Sequence, residues 1–200
     1  ADMVAGGGAA ATIRAALAGE IVAGYAYLRD TAGERGPRLA SAYAYLEPVE
    51  VIVGARHPLA RAAPARVGEL ARYPAWVPGI VPGSEWETFY QDFGTAFGLT
   101  VDPTRYTSGT ESVFDAVAAS RSLVTYVGKK SRVALPATAG LVRLPVTDPV
   151  PLYPWSLVWR PQSGHPGKAR LIGYARRTFR RPDPGAAWLP RQARDDLAVG

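Results

Sequence analysis

The sequence predicts an α/β fold with a largely parallel sheet. Segments in which apolar residues recur at helical spacing alternate with short runs rich in Val, Ile, Tyr and Trp over most of the 200 residues. Glycine and proline separate many of these segments. Because parallel strands need crossover connections that are usually helical, this alternation is typical of α/β folds.

Five helices are predicted from apolar spacing and from end signals. Ser84 and Glu87 have the capping-box spacing, in which a hydroxyl accepts a hydrogen bond from the third helical N–H group. Ser108 and Glu111 repeat this spacing at the next helix. The predicted helices are Ala9–Glu20, Val67–Tyr73, a segment that opens at Ser84 and ends near Gly98, a segment that opens at Ser108, and Pro166–Phe179.

Seven strands are predicted between and after these helices. They are Ile21–Leu28, Val49–Val53, Ala75–Pro78, Thr100–Tyr106, Ser122–Val127, Leu141–Val146 and Trp155–Arg160. Pro149–Pro154 is predicted to be a proline-rich link. Arg181–Gly200 is predicted to be a tail with at most one or two helical turns, because it contains Pro182, Pro184 and Gly185.

Aromatic residues form a stripe along the helix that opens at Ser84. Trp86, Phe89, Phe93 and Phe97 recur at helical spacing. Such a stripe is more often part of a core than a stacking surface for bases. We therefore predict that this face of the helix is buried, as are Val113, Phe114 and Val117 of the next helix.

The net charge of +6 is confined to the C-terminal part of the chain. Residues 160–200 contain nine Lys/Arg and three Asp/Glu, whereas the first 159 residues contain fourteen of each sign. Two interpretations stay open, a solvated helix face with a basic tail, or direct contact with DNA. A terminal excess of charge is not enough to predict a DNA-binding domain.

Several kinds of site are not indicated by the sequence. There is no cysteine, which excludes disulfides, thiolate metal sites and cysteine nucleophiles. His57 and His165 each precede a proline and lie outside metal-ligand spacing. Neither a phosphate-binding loop nor a nucleophile elbow is present. No apolar run reaches the ~18 residues of a membrane helix, and Ala1–Gly8 does not resemble a signal peptide.

Several motifs resemble the effector domain of LysR-type transcriptional regulators. Gly19–Tyr25 (GEIVAGY) looks like a strand entry of that family, and His57-Pro58-Leu59-Ala60 resembles its "H-P-L-A" element. Thr107–Val127 with Gly140–Val146 is similar to the family's cleft-side helix and strands, and Leu157–Arg160 resembles its last strand. The order and spacing match over roughly residues 1–180.

The chain also departs from the family pattern. Val22 stands where the family usually has an acidic residue, and Ala118–Leu123 replaces a common glycine-rich turn. By comparison with the family, the first strand and helix of the sensing domain and an N-terminal winged helix-turn-helix are not visible. The resemblance therefore implies that the N-terminal part of the first lobe is truncated here.

The resemblance implies a periplasmic-binding-protein-like fold with two Rossmann-like lobes and a ligand cleft between them. Residues 1–62 plus 148–200 are expected to form lobe I, and residues 63–147 lobe II. It further implies no catalysis and no cofactor, a cytoplasmic protein, and a homodimer or homotetramer formed through the effector domains. DNA is expected to bind only through a domain absent from this chain.

Residues at the ends of strands and the starts of helices are the predicted ligand contacts. Ligands of open α/β sheets bind beyond the carboxyl ends of the strands, and helix N-termini offer unpaired N–H groups to anions. We therefore expect a small anionic effector, with plain capping or packing as the alternative role of each residue. The candidates are Gly24, Tyr25, Tyr27, Ser84, Thr107, Ser108, Thr110 and Tyr126, with His57 as a weaker one.

Two other functions are compatible with the sequence. An extracytoplasmic solute-binding protein has the same fold, and an upstream signal peptide or lipobox would favour it. An α/β enzyme with a dispersed site is the second, and a cleft His or carboxylate with a displaced pKa would favour it. In the effector-domain hypothesis, ligand binding shifts the angle between the lobes and thereby the packing of the oligomer.

Overall fold

A computed structural model describes residues 7–29, 37–102, 110–131 and 140–199. The helices are α1 (Ala9–Ala18), α2 (Val67–Leu70), α3 (Glu85–Phe97), α4 (Thr110–Ala119), α5 (Gly167–Thr178) and α6 (Arg191–Val199), with a 3-10 turn at Pro58–Arg61. The strands are β1 (Gly24–Ala26), β2 (Ala40–Gly54), β3 (Ala65–Arg66), β4 (Ala75–Trp76), β5 (Val101–Asp102), β6 (Val124–Gly128), β7 (Leu141–Thr147), β8 (Val150–Trp159) and β9 (Ala187–Trp188).

The chain divides into two compact units. Unit 1 contains Ala1–Leu46, Pro154–Arg181 and Gln192–Gly200, and unit 2 contains Glu47–Tyr153 and Pro182–Arg191. The chain passes from one unit to the other inside β2 and again inside β8. The predicted lobe boundaries, at 62/63 and 147/148, differ from the changes of unit at 46/47 and 153/154, and they stay a prediction.

In unit 1, helices α1 and α5 pack against a small antiparallel sheet. β1 pairs with β8, with Gly24 opposite Val158. Helix α1 buries Ile13 against Ala26 and Val158, and it ends at Gly19, whose left-handed backbone suits a helix C-cap. This confirms the helix predicted from Ala9, whereas the strand predicted over Ile21–Leu28 is limited to three residues.

Unit 2 has a mixed sheet, and the prediction of a largely parallel sheet is wrong. β6 and β7 both pair with β2 in antiparallel ladders, with Val51 opposite Tyr126 and Leu144. Among the described residues, parallel pairing is confined to short contacts, those of β4 with β5 and β6, of β3 with β7, and of β8 with β9. Alternating signals give the order of elements along the chain, but strand direction depends on which distant strands pair, and that information is not local.

Helices pack on the sheet of unit 2 through the predicted apolar faces. In α4, Val113, Phe114 and Val117 cluster with Ile52 and Val127. In α3, Phe89 and Phe93 are fully buried, so the core interpretation of the aromatic stripe is confirmed. Both phenylalanine rings contact Trp188, at centroid distances of 5.6 and 5.1 Å.

Two predictions for the C-terminal part of the chain are wrong. The segment Pro149–Pro154 lies largely in the first half of β8 rather than in a link, because the fixed φ angle of proline is compatible with extended backbone. The predicted tail Arg181–Gly200 contains β9 and the nine-residue helix α6. Leu189 and Ala193 are buried there, and tertiary contacts of this kind outweigh the local breakers Pro182 and Pro184.

Candidate functional site

The start of α3 is capped by two of its own side chains, those of Ser84 and Glu87. The Ser84 hydroxyl accepts a hydrogen bond from the Glu87 N–H at 3.2 Å, and Glu87 Oε2 accepts one from the Gly83 N–H at 2.6 Å. Glu85 and Glu87 place two carboxylates in the first helical turn. These negative charges already compensate the positive end of the helix dipole, which makes this helix start a poorer anion site than the sequence predicts.

Tyr126 is buried in unit 2 beneath α3. Its ring stacks on Tyr90 at 5.8 Å and meets the edge of Phe93 at 5.7 Å. Its side chain is 4% exposed, and within the described part of the chain its hydroxyl has no hydrogen-bond partner. Burial raises the pKa of Tyr126, and burial, Tyr126 and Glu47 together raise the pKa of Tyr90. Both hydroxyls therefore stay protonated at neutral pH.

The side-chain carboxylate of Glu47 lies at the carboxyl end of β6. Its Oε1 accepts a hydrogen bond from the Lys130 N–H at 2.7 Å, across 83 residues of sequence. A Cβ atom at Gly128 would lie 2.6 Å from this carboxylate, so a side chain at position 128 would have to displace it. The buried carboxylate is thus held against the backbone of the loop that follows β6.

Arg143, on β7, contacts the same loop after β6. Its guanidinium forms an ion pair with Glu50, and Nη2 donates hydrogen bonds to the carbonyl oxygens of Gly128 (2.7 Å) and Lys129 (2.8 Å). The two ionic side chains are largely buried, at 24% and 11% exposed. Because its N–H groups already bind Glu50 and the loop carbonyl oxygens, the Arg143 guanidinium stabilises the loop and is not available to a ligand.

His57 has a structural role as the cap of the 3-10 turn. Its Nδ1 accepts a hydrogen bond from the Leu59 N–H at 3.1 Å, and its ring meets Tyr73 edge-on at 4.4 Å. Burial lowers the pKa of His57, an effect that the backbone at Ser122 opposes. A neutral imidazole is required by the hydrogen bond, since Nδ1 must accept. These contacts give the histidine a local packing role.

A cavity of about 350 Å³ lies beside α3 in unit 2. Its lining includes Tyr90, the apolar side chains of Ile80 and Leu99, and the Glu87 carboxylate. None of the predicted ligand residues that the structure describes lines it. The Glu87 carboxylate in this lining is already engaged in the cap of α3.

The three predicted ligand residues of unit 1 differ in their surroundings. A Cβ atom at Gly24 would overlap the Thr12 side chain, so this glycine allows α1 to approach β1. Tyr25 is 44% exposed and meets Tyr45 edge-on at 5.8 Å. Tyr27 is buried. Packing accounts for Gly24 and Tyr27, and Tyr25 is the one of the three whose side chain is exposed enough to contact a ligand.

The remaining predicted contacts lie at or beyond the limits of the described structure. Thr107 and Ser108 fall outside the described residues, and Thr110 is the first residue of α4. Among the described residues, no group of three or more His, Asp or Glu side chains could hold a metal ion. Each helix that the structure describes is too short or too polar to cross a membrane.

The family model of the LysR substrate binding domain matches residues 7–180. This match covers most of the 200-residue chain. The chain is a member of that family. No curated protein sequence is similar enough to this chain to count as a match.

Solved structures show which fold this LysR substrate-binding domain has. The reduced form of the OxyR regulatory domain from Pseudomonas aeruginosa is 17% identical, with a TM-score of 0.59 over 82% of this chain and 74% of that one. The effector binding domain of a BenM variant is 19% identical, with a TM-score of 0.64 over 85% and 76%. Full-length BenM is 20% identical, with a TM-score of 0.63, and this domain spans 58% of its length.

These findings confirm the predicted fold class and family. The domain has the mixed α/β, periplasmic-binding-protein-like fold of LysR substrate-binding domains. Such domains are regulatory ligand-binding domains and not enzymes, which removes the hypothesis of an α/β enzyme. Membership of this family also sets the chain apart from the solute-binding proteins that have the same fold.

Sequence reasoning missed the polar residues that surround the end of β6. They are Glu47, Glu50, Tyr90 and Arg143. A signal for the first two was present, because both are acidic residues within an otherwise apolar strand run. Their partners could not be found from sequence, since β7 and the loop after β6 lie far from β2 along the chain.

Proposed function

We propose that this LysR substrate-binding domain binds a small anionic metabolite in a cleft between lobe I (1–62 plus 148–200) and lobe II (63–147). Binding would modulate DNA reading by a helix-turn-helix domain outside this chain. The observation that carries the proposal is the family match over residues 7–180. A regulator that acts on DNA in this way works in the cytoplasm.

The start of α4 is the helix terminus best suited to the anion. Thr107, Ser108 and Thr110 cluster there in sequence, and their hydroxyls can join the unpaired N–H groups of the helix. The first turn of α4 contains one carboxylate, that of Glu111, whereas the first turn of α3 contains two. We assign supporting contacts to Ser84, Tyr126, Gly24, Tyr25 and Tyr27.

The domain would form a homodimer or homotetramer that changes its packing when the effector binds. A ligand can shift such an equilibrium only by its difference in affinity for the two arrangements. Sedimentation of the purified chain should give two or four times the chain mass. A strictly monomeric chain at ~100 μM, with and without effector, would contradict this part of the proposal.

Thermal unfolding with a library of small carboxylates tests effector binding directly. We expect at least one carboxylate to raise the Tm, because a ligand specific for the folded state stabilises it by mass action. Ser108→Ala should weaken binding at least tenfold with little change in the Tm of the free domain. Ser41→Ala, an exposed strand residue of unit 1, is the matched control and should bind as the unchanged domain does.

Ser84→Ala separates capping from ligand contact. Loss of the cap should lower the free energy of unfolding by about 0.5–2 kcal/mol. An unchanged Kd in this variant would assign Ser84 to the cap alone. If only neutral or cationic compounds raise the Tm, the anionic effector is wrong, and if no compound does, the binding proposal fails.

A further inference from the structure

The positive charge of this domain is concentrated on one short segment. Residues 160–181 contain seven Lys/Arg and no Asp/Glu, whereas the rest of the chain contains sixteen Lys/Arg and seventeen Asp/Glu. The formal net charge of +6 therefore comes entirely from these 22 residues. Helix α5 forms the middle of this segment, within unit 1.

One side of α5 is buried and the other presents arginines to solvent. Ala175 is buried, and Ile172 packs against the same core cluster. On the opposite side lie Arg170, Tyr174 and Arg177, spaced i, i+4 and i+7 and so on one face of the helix. Both arginines are exposed, and Tyr174 is 60% exposed. We call this surface the basic face of α5.

Helix stability accounts for only some of the cations of α5. Arg176 and Arg177 in the last turn are favourable beside the negative end of the helix dipole. Lys168 and Arg170 lie near the other end, where a cation is unfavourable, and the first turn has no acidic residue. The Lys168 ammonium is used locally, because it donates to the carbonyl oxygens of Pro161 and Ser163. Arg170 is left without a structural reason for its charge.

The two arginines of the basic face keep their charges unpaired in the part of the chain that the structure describes. Among the described residues, neither the Arg170 nor the Arg177 guanidinium takes part in an ion pair or donates a hydrogen bond. Arg180, just beyond the helix, directs its guanidinium to the carbonyl oxygens of Arg177 and Phe179 and so adds a further positive charge beside the face. A partner of this face must therefore be strongly anionic.

Duplex DNA fits this face better than an acidic protein does. Charged residues are depleted at the centres of protein interfaces, whereas protein–DNA interfaces are strongly positive. The planar guanidinium matches phosphate oxygens, and Arg170 and Arg177 are about 10 Å apart along the helix axis, within reach of successive phosphates. We propose that the basic face of α5 binds the phosphate backbone of duplex DNA without sequence preference.

This contact goes beyond the proposed function. The family resemblance implies DNA binding only outside this chain, and the contact at α5 would add a sequence-independent contact to it. It would position the domain on DNA while sequence is read elsewhere. Effector binding is not needed for it, so the two proposals can fail separately.

Fluorescence anisotropy with a labelled 30-base-pair duplex of arbitrary sequence tests this contact. The 200-residue chain, without effector, is titrated at 50, 100 and 200 mM KCl. We expect weak binding, with a Kd of about 10⁻⁴–10⁻⁶ M at physiological salt, that weakens as salt rises. The double variant Arg170→Glu/Arg177→Glu should bind at least tenfold more weakly and should reduce the slope of log K against log salt by about 2.

A charge-matched double variant separates the face from net charge. Arg72→Glu/Arg121→Glu changes two exposed arginines of unit 2 and lowers the net charge by the same amount. It should change the Kd less than about twofold. The milder Arg170→Gln/Arg177→Gln, checked for folding by circular dichroism, should give an intermediate loss. Equal losses in both Glu doubles, or no salt-dependent binding by the unchanged chain, would overturn the proposal, and the second result would leave an acidic protein as the partner.

Discussion

In unit 2, the Glu47 carboxylate lies very close to the backbone of Gly128, and this approach limits which residue can occupy position 128. The carboxylate lies where a side chain at position 128 would begin, and it accepts a hydrogen bond from the Lys130 N–H. The antiparallel register that places Val49 opposite Gly128 brings the two residues together. The glycine is thus a packing requirement, and turn geometry has no part in it.

Gly128→Ala should destabilise the domain by about 1–3 kcal/mol, because the added methyl group overlaps the Glu47 carboxylate. Urea unfolding followed by circular dichroism measures the change. Gly68→Ala is the matched control in the same unit, since a Cβ atom there meets nothing within 4 Å. We expect that variant to be neutral or more stable by up to about 1 kcal/mol.

A double-mutant cycle checks the cause of this loss. In a Glu47→Ala background, Gly128→Ala should cost at least ~1 kcal/mol less than it does in the unchanged domain, because the overlapping atoms are gone. An equal cost in both backgrounds would show that the carboxylate is not what excludes alanine at position 128.

Ser84 and Tyr126 show which features of single residues could be predicted from the sequence and which could not. The Ser84 cap was predictable because its partner, Glu87, is three residues away. The surroundings of Tyr126 were not predictable, because Tyr90 and Phe93 reach it from another element. Whether Tyr126 and the other candidates contact an effector stays a prediction.

At the scale of elements, α3 shows the difference between forming a helix and placing it. Ser84 and Gly98 delimit the helix, as the sequence predicts, because capping signals act within a few residues. The partner of its aromatic face, Trp188, comes from a segment predicted to be a tail. This segment also lies beyond residue 180, where the family match ends.

Trp188→Ala should destabilise unit 2 by about 2–3 kcal/mol, somewhat less than the loss of a fully buried aromatic side chain. The indole ring contacts three phenylalanines of α3, Phe89, Phe93 and Phe97. Trp188→Phe keeps an aromatic ring at this place and should cost about 1 kcal/mol. Thermal and urea unfolding of both variants measure the losses. A loss below ~0.5 kcal/mol for Trp188→Ala would show that β9 is not an integral part of unit 2.

At the scale of the whole molecule, neither unit is a continuous stretch of chain. Unit 1 is built from three segments and unit 2 from two, and the strands β2 and β8 contribute residues to both. Neither unit can close its core until segments that lie far apart in the sequence have come together. The two units should therefore unfold as one cooperative system.

Native-state hydrogen exchange tests this cooperativity. The slowest amides of the β2 core in unit 2, at Val51 and Ile52, should open with the same free energy as Leu157 and Val158 in unit 1, because each group can exchange only by global unfolding. Trp188→Ala should lower both values together. Opening free energies that differ by more than about 2 kcal/mol would mean that the units unfold independently.

The sequence by itself determined helices α1 to α5, the ends of α3 at Ser84 and Gly98, the buried faces of α3 and α4, the class of fold and the family. These depend on hydrogen bonds between residues four apart, on apolar periodicity, and on motifs that can be identified in order along the chain. Only the tertiary structure decided strand direction, the place of β9 and α6, and the neighbours of Tyr126. Each of those depends on contacts between distant segments, and local sequence carries little information about which distant segment will pair.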